Sequence, residues 1–208
     1  MVELLGNMVL ITTALQETFP KDTNEKVLFL GEWCKAYNKK SVWRNFDSQT
    51  MPYHWDDRKK LYTDYQNIQI IYEKILLELS NKLNETHQVN YSLRYWRILI
   101  GPWLGYFIQM LFDRWFMLKA VLDNDQKYHC RIVKRPPLSV VPNNMDHFTK
   151  WFTTDDWNEA IYGQLIELYW ANKVHITWVE KIKQTPQPFV KKTLIKKYIR
   201  EKVFPYLN

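Results

Sequence analysis

The sequence predicts an α/β fold with a central, mostly parallel sheet flanked by long helices. Three observations carry that expectation. Short apolar runs rich in β-branched residues occur at residues 9–14, 27–30 and 128–133. Two long stretches between the second and third runs repeat apolar residues at helical spacing. One of these, from Ile98 to Phe112, carries no charge at all, which suits a helix buried against a sheet.

In chain order, residues 9–14 read as a first strand and residues 27–30 as a buried second strand, set between Lys26 and Gly31. Glu32, Trp33 and Cys34 then fall at the carboxyl end of that strand, the edge where open α/β sheets bind ligands. A long helix starts at Asp56, with Leu61, Tyr65, Ile68, Tyr72, Ile75, Leu79 and Leu83 as its apolar stripe. Asp56 and Asp57 sit where carboxylates cap free N–H groups. A second helix is expected to start near Pro102, a residue that suits a first turn, and to run through Leu104, Ile108, Leu111, Trp115 and Leu118. Residues 128–133 and 138–141 read as strands separated by Pro136-Pro137, and Pro142-Asn143-Asn144 as a turn. A third helix runs from Trp157 to about Ala171, with Asp156 and Glu159 at capping-box spacing. A basic helix carrying Val190, Leu194, Ile195 and Ile199 on one face closes the chain. The division expected is a body over residues 1–180 and a basic tail over 181–208.

Composition removes several function classes. The chain of 208 residues has room for one good-sized domain. Only 5 glycines are present, and neither G-x-G-x-x-G nor G-x-x-x-x-G-K-[ST] occurs, so the glycine-rich phosphate loops are excluded. Two cysteines, Cys34 and Cys130, make neither a disulfide framework nor a four-cysteine zinc site. The net charge of +7 lies wholly in the tail, where eight Lys/Arg face one acid, Glu201. Nucleic-acid binding predicts basic charge spread over a face of the fold, so no nucleic-acid partner is expected. The start lacks a positive n-region. The longest uncharged run, 15 residues, falls short of the roughly 20 needed to span a bilayer. The expected location is cytoplasmic, with the tail in peripheral contact with an anionic inner membrane.

Four clusters mix ionisable and aromatic residues: Gly31–Cys34, Tyr53–Arg58, Arg94–Arg97 with Gly101-Pro102-Trp103, and Phe112–Trp115. Glu32 reads either as a general base or sugar-hydroxyl ligand, or as a solvated loop carboxylate. His54 with Asp56 or Asp57 reads as an acid/base pair, or as a loop residue beside two helix caps. Such a pair supplies two ligands where a metal site wants three or four, so no metal and no cofactor is expected. Asp113-Arg114 reads as a guanidinium facing a cleft to bind phosphate or carboxylate, or as charges at the helix edge that pair with Arg94 or Arg97. Asp155-Asp156 reads as a diacid or as helix capping.

Taken in order, Phe29–Cys34, Tyr53–Arg58, Arg94–Leu104, Phe112–Trp115 and Asp155–Asn158 resemble the amino-terminal part of the leptospiral-type transferases, a bacterial family found with O-antigen and other surface-polysaccharide genes. The likeness runs from about Leu10 to about Leu168. It implies a glycosyltransferase-like enzyme that works on a nucleotide-sugar donor and a glycan acceptor. Family members are much longer, so the resemblance also implies one lobe of a two-lobed enzyme, a fragment expected to transfer no sugar alone and to meet a second lobe. On that reading Glu32, His54, Asp56 and Asp57 are the candidates for catalysis. Trp33, Trp55, Arg58, Arg97, Trp103 and Arg114 are the candidates for substrate binding. The alternative is a non-catalytic module that docks a partner lobe or pathway protein through exposed aromatics.

Overall fold

The computed structural model describes residues 8–136 and 138–182. Five strands, β1 (Met8–Ile11), β2 (Val27–Phe29), β3 (Ser48–Thr50), β4 (Tyr128–Val133) and β5 (Val174–Val179), make one sheet in the order β3-β2-β1-β4-β5. Every pairing is parallel, so the sheet is α/β as expected and wholly parallel. Five helices accompany it among the described residues: α1 (Lys40–Trp43), α2 (Arg58–His87), α3 (Leu93–Leu122), α4 (Met145–Trp151) and α5 (Asp155–Tyr169). The basic segment 181–208 lies outside the described residues apart from Lys181 and Ile182.

The central strand β1 is a continuous apolar run, Val9-Leu10-Ile11, with every side chain fully buried, as a strand covered on both faces requires. Strands β2 and β3 are laid to one side of β1, and β4 and β5 to the other. The strand order therefore reverses between β1 and β4, the kind of point where α/β sheets leave a crevice beyond the strand ends. The main core joins β1, β2 and β4 to Met117, Leu118, Val121 and Leu122 of α3 and to Tyr162 and Ile166 of α5. Each such fully buried side chain contributes about 1.5–3 kcal/mol.

Helices α2 and α3 form a hairpin with its own apolar seam, where Ile68 and Leu76 meet Leu104 and Ile108. The Asp57 side chain caps α2 by accepting from the N–H groups of Lys59 and Lys60 at 2.9 and 3.2 Å. Two expectations are corrected here. Helix α3 starts after Ser92, whose hydroxyl accepts from the Tyr95 N–H, so Pro102 lies inside the helix. Packing across the seam offsets the roughly 3 kcal/mol that an interior proline costs. The α2 stripe is also narrower than its periodicity suggested. Tyr65 and Ile75 are 55% and 37% exposed, because α2 packs chiefly on α3 and buries a single i,i+4 row.

Residues 138–141 form a turn in place of the expected strand. Leu138 adopts a left-handed φ of 63°, the Val141 N–H closes on the Leu138 carbonyl, and the preceding prolines offer a ladder no N–H. The edge position belongs instead to β5. The capping box expected at Asp156 and Glu159 is also absent. Thr154 caps α5 through the Trp157 N–H, and Glu159 turns inward to the Val133 N–H at 3.0 Å.

Candidate functional site

A cleft of about 840 Å³ opens beyond the carboxyl ends of β1, β2 and β3. The middle of α3 and the amino-terminal turn of α5 supply its far walls. The loop after β1 is pinned in place from several sides. The Trp33 indole N–H donates to the Thr12 carbonyl at 2.9 Å, and Lys39 Nζ donates to the Ala14 carbonyl at 2.6 Å. The Ala14 N–H donates to Asp155 Oδ1 at 3.2 Å. Gly31 makes the first of these possible, since a Cβ there would fall 2.2 Å from the Trp33 ring. The Cys34 thiol donates to the Ile11 carbonyl at 3.3 Å, and burial pushes its pKa up to about 12, which makes it an inert structural thiol and not a nucleophile.

The floor is a chain of charges that runs inward from the cleft. Arg114 donates from Nη1 to Asp113 Oδ2 at 2.6 Å, and from Nε and Nη2 to Asn158 Oδ1 at 3.0 and 2.8 Å. Asn158 is itself fixed, because its amide donates to the carbonyls of Phe152 and Thr154. A guanidinium has five N–H donors, so this anchoring leaves Arg114 with donors free for an anionic or hydroxyl-bearing ligand. The other Asp113 oxygen meets His54 Nε2 at 3.0 Å. Behind it, His54 Nδ1 stands 4.0 Å from Asp64 Oδ2 and has no hydrogen-bond partner. Burial pushes the Asp64 carboxyl up, but bonds from Lys60 and the Trp55 indole outweigh it and hold the group below its ordinary value. Burial, reinforced by Asp113, pushes the Tyr53 hydroxyl well above its usual range, and burial does the same to Tyr162. Both therefore remain O–H donors at the cleft wall.

Of the residues singled out from sequence, Glu32, Trp33, Trp55, Asp56 and Arg114 line this one cleft, although they span more than eighty positions of the chain. The Glu32 side chain is 76% exposed at the mouth and pairs with Lys35 at 2.7 Å. His54 lies one layer behind the wall and pairs with Asp113, not with Asp56 or Asp57, because its ring is packed between Trp55 and Phe116 and turned toward α3. Asp57 is the cap of α2, and Arg58 is the exposed first residue of that helix. Arg97 holds Glu73 in a bidentate pair at 2.6 and 2.7 Å, about 25 Å along α3 from Arg114. Trp103 stacks on Phe107 at 5.0 Å and helps seal α3 against α4. Tyr106, Gln109, Asn158 and Tyr162 also line the cleft and were not singled out. Gln109 had left a signal, as a lone amide in the uncharged run of α3.

The wall carries four carboxylates, Glu32, Asp56, Asp113 and Asp155, against the single cation Arg114, with Trp33, Tyr53, Trp55, Tyr106, Phe152 and Tyr162 as aromatic surfaces. Among the described residues no three His, Cys, Asp or Glu side chains are grouped as metal ligands. Among the same residues no helix is long and apolar enough to cross a membrane.

A family model described as LIC12162 family transferase matches residues 8–208. The chain belongs to the LIC12162 transferase family. The match takes in every strand and helix described above, so the cleft of this transferase family member lies wholly within the matched region. No curated protein matches the chain, and no solved structure does.

Proposed function

We propose that the cleft holds the acceptor of a glycosyl transfer, and that the chain is the acceptor-side lobe of an enzyme building cell-surface polysaccharide of the O-antigen kind from a nucleotide-activated sugar. The observation that carries this reading is the cleft lining, four carboxylates and six aromatic rings around one anchored arginine. Carboxylates accept hydrogen bonds from sugar hydroxyls and aromatic faces cover the apolar faces of the rings, whereas the same carboxylates repel a nucleoside diphosphate. Membership of a transferase family supports the reaction class.

Asp155 is the carboxylate we assign to the acceptor hydroxyl. One of its oxygens is pinned by the Ala14 N–H at the switch point of the sheet, while Asp113 is engaged by His54 and Arg114, and Glu32 pairs with Lys35. In the transfer the acceptor oxygen bonds to the anomeric carbon, its proton passes to Asp155, and the bond from that carbon to the donor phosphate breaks, with the electron pair leaving on the phosphate. Arg114 offers its free N–H donors to the other hydroxyls of the acceptor. His54 is a positioning residue that orients Asp113. The basic tail is proposed to hold the lobe near an anionic membrane carrying the acceptor. A second reading, a module that docks a partner protein, draws on the exposure of Tyr95, Ile98 and Leu99 along α3.

Ligand-observed NMR on the purified chain tests the leading reading. Neutral methyl glycosides should bind, Asp155→Asn should abolish that binding, and nucleoside diphosphates should bind more weakly than the glycosides. Tighter binding of the diphosphates, at a site lost in Arg114→Gln, would make this the donor side instead.

A further inference from the structure

Tyr106 and Gln109 stand at one side of the cleft. Both residues also line a shallow groove of about 250 Å³ that runs between α2 and α3, where Ile68, Gln69 and Tyr72 face Gly101, Pro102 and Gly105. The two cavities are therefore neighbours, with Tyr106 and Gln109 shared between them. Tyr106 is 55% exposed there and offers an open aromatic face.

The groove is built at a cost to the helix that contains it. Gly101, Pro102 and Gly105 fall within five residues of α3, and glycine and proline are the poorest residues for a helix interior, by about 1 and 3 kcal/mol. Pro102 has no N–H to give the Ile98 carbonyl, so that acceptor lacks its helical partner. A Cβ on Gly101 would stand 2.6 Å from the Tyr72 hydroxyl, so this glycine is what lets the tyrosine lie along the groove. A Cβ on Gly105 would meet only the edge of the Tyr72 ring at 3.9 Å, so here the missing side chain leaves usable space. The seam packs without these residues, since its buried contacts come from Ile68, Leu76, Leu104 and Ile108.

The lining of the groove differs from that of the cleft in one respect that identifies the occupant. It has no Asp, Glu, Lys or Arg. Its polar groups are the amides of Gln69 and Gln109 and the hydroxyls of Tyr72 and Tyr106, set beside ring faces and aliphatic surface. Uncharged amides and phenols that both donate and accept, next to flat apolar surface, match a neutral polyol ring, and the cation beside them, Arg97 over the Tyr72 ring at 5.9 Å, is already held by Glu73. From Gly101 to Gln109 the groove follows about 12 Å of α3, the length of a short run of rings and not of one.

We propose that this groove is a second subsite of the acceptor, which binds the sugars that precede the one in the cleft, so that the protein selects an oligosaccharide and not a free monosaccharide. The inference rests on the reading of the cleft as an acceptor site. It makes Tyr106 and Gln109 contacts to the junction between rings, and Gln69 and Gly105 determinants of length.

The test is an array of bacterial surface glycans, each presented as its terminal sugar and as longer fragments, probed with the full purified chain. Longer fragments should bind about tenfold tighter than the terminal sugar, the equivalent of one or two neutral hydrogen bonds and a ring contact. Gly105→Leu, which fills the groove, and Gln69→Ala, which removes an exposed amide on α2, should each bring the ratio of long to short affinity close to one. Gln69→Ala alters no buried contact and keeps the test decisive if Gly105→Leu fails to fold. Binding that ignores fragment length, or a ratio that both variants leave intact, overturns the second subsite and spares the cleft. No glycan binding at all overturns both readings together.

Discussion

Arg135 and Arg114 both hold α5, through the neighbouring residues Glu159 and Asn158, and they do it with different surroundings. Arg135 donates to Glu159, to the carbonyls of Val133 and Asp156 and to the Asp156 carboxylate, and Glu159, 1% exposed, also receives the Val133 N–H. Burial pushes the Glu159 carboxyl up even with Arg135 beside it. The cavity next to this network is about 170 Å³. Arg114 has fewer partners, keeps free donors and looks onto a cleft of about 840 Å³. The same residue type thus locks a helix to a strand in one place and presents a charge to solvent space in the other. What separates a structural arginine from a binding one here is where the spare donors lie, since Arg135 Nε is buried without a partner whereas Arg114 lines the open cleft.

The largest effect should come from the closed network. Glu159→Ala removes the buried carboxylate and leaves Arg135 only the partly exposed Asp156 as counter-charge, and the expected loss is about 3 kcal/mol in urea-induced unfolding. A loss below about 1 kcal/mol would show that Arg135 reaches water, and the contrast between the two arginines would collapse. Arg114→Lys should cost less than about 2 kcal/mol, because water can replace its bonds at the cleft wall. It should nevertheless abolish glycoside binding, since an ammonium cannot span Asp113 and Asn158 as the planar fork does. Full binding by the lysine variant would mean that the cleft needs only a charge there.

The smallest effect is on acid sensitivity. Burial pushes the Asp156 carboxyl up, but hydrogen bonds from Lys181 and Arg135 more than offset it and hold the group below its usual range. A carboxyl lowered in the folded state contributes its stability fully above its unfolded value of about 3.9, and loses it as pH falls through the lower folded value. Below about pH 4 the melting temperature of the wild type should therefore fall more steeply than that of Asp156→Asn. Parallel profiles would place the acid sensitivity outside the closed network.

The elements that could be read from the sequence were those whose local pattern and burial agree. Val9-Leu10-Ile11 and Val27-Leu28-Phe29 are wholly buried apolar strands, and Asp57 before Arg58 marks a helix start that its side chain does cap. Strand β3, Ser48-Gln49-Thr50, was invisible because it is a polar edge held only by ladder bonds to β2. Leu138 to Val141 misled in the opposite direction, since only Val140 packs with Trp157, from a turn, and its carbonyl takes the indole N–H at 2.8 Å, while Leu138 and Val141 stay exposed. In the site, residues beside strand ends and helix caps were legible, because their positions follow from the chain order. Asn158 and Tyr106 were not, because each faces the cleft only through the rotation of its helix, and that is set by packing on other elements. Arg97 and Arg114 show the limit well. Both stand beside aromatic residues on α3, and only the crossing of α2 over the first of them decides that it meets Glu73.

The centre of the sheet joins Val9 to His129, so the strands that complete it are separated by β2, β3 and the whole helical hairpin. During synthesis, β1 leaves the ribosome with one apolar edge unmatched and waits for β4. At about 5–20 residues per second that wait is on the order of ten seconds, longer than a hairpin of helices needs to form. The nascent chain therefore displays a bare Val-Leu-Ile edge until the whole helical pair, and then β4, have emerged. Yield in a living cell should thus depend on holdase chaperones during that interval more than on the stability of the finished protein.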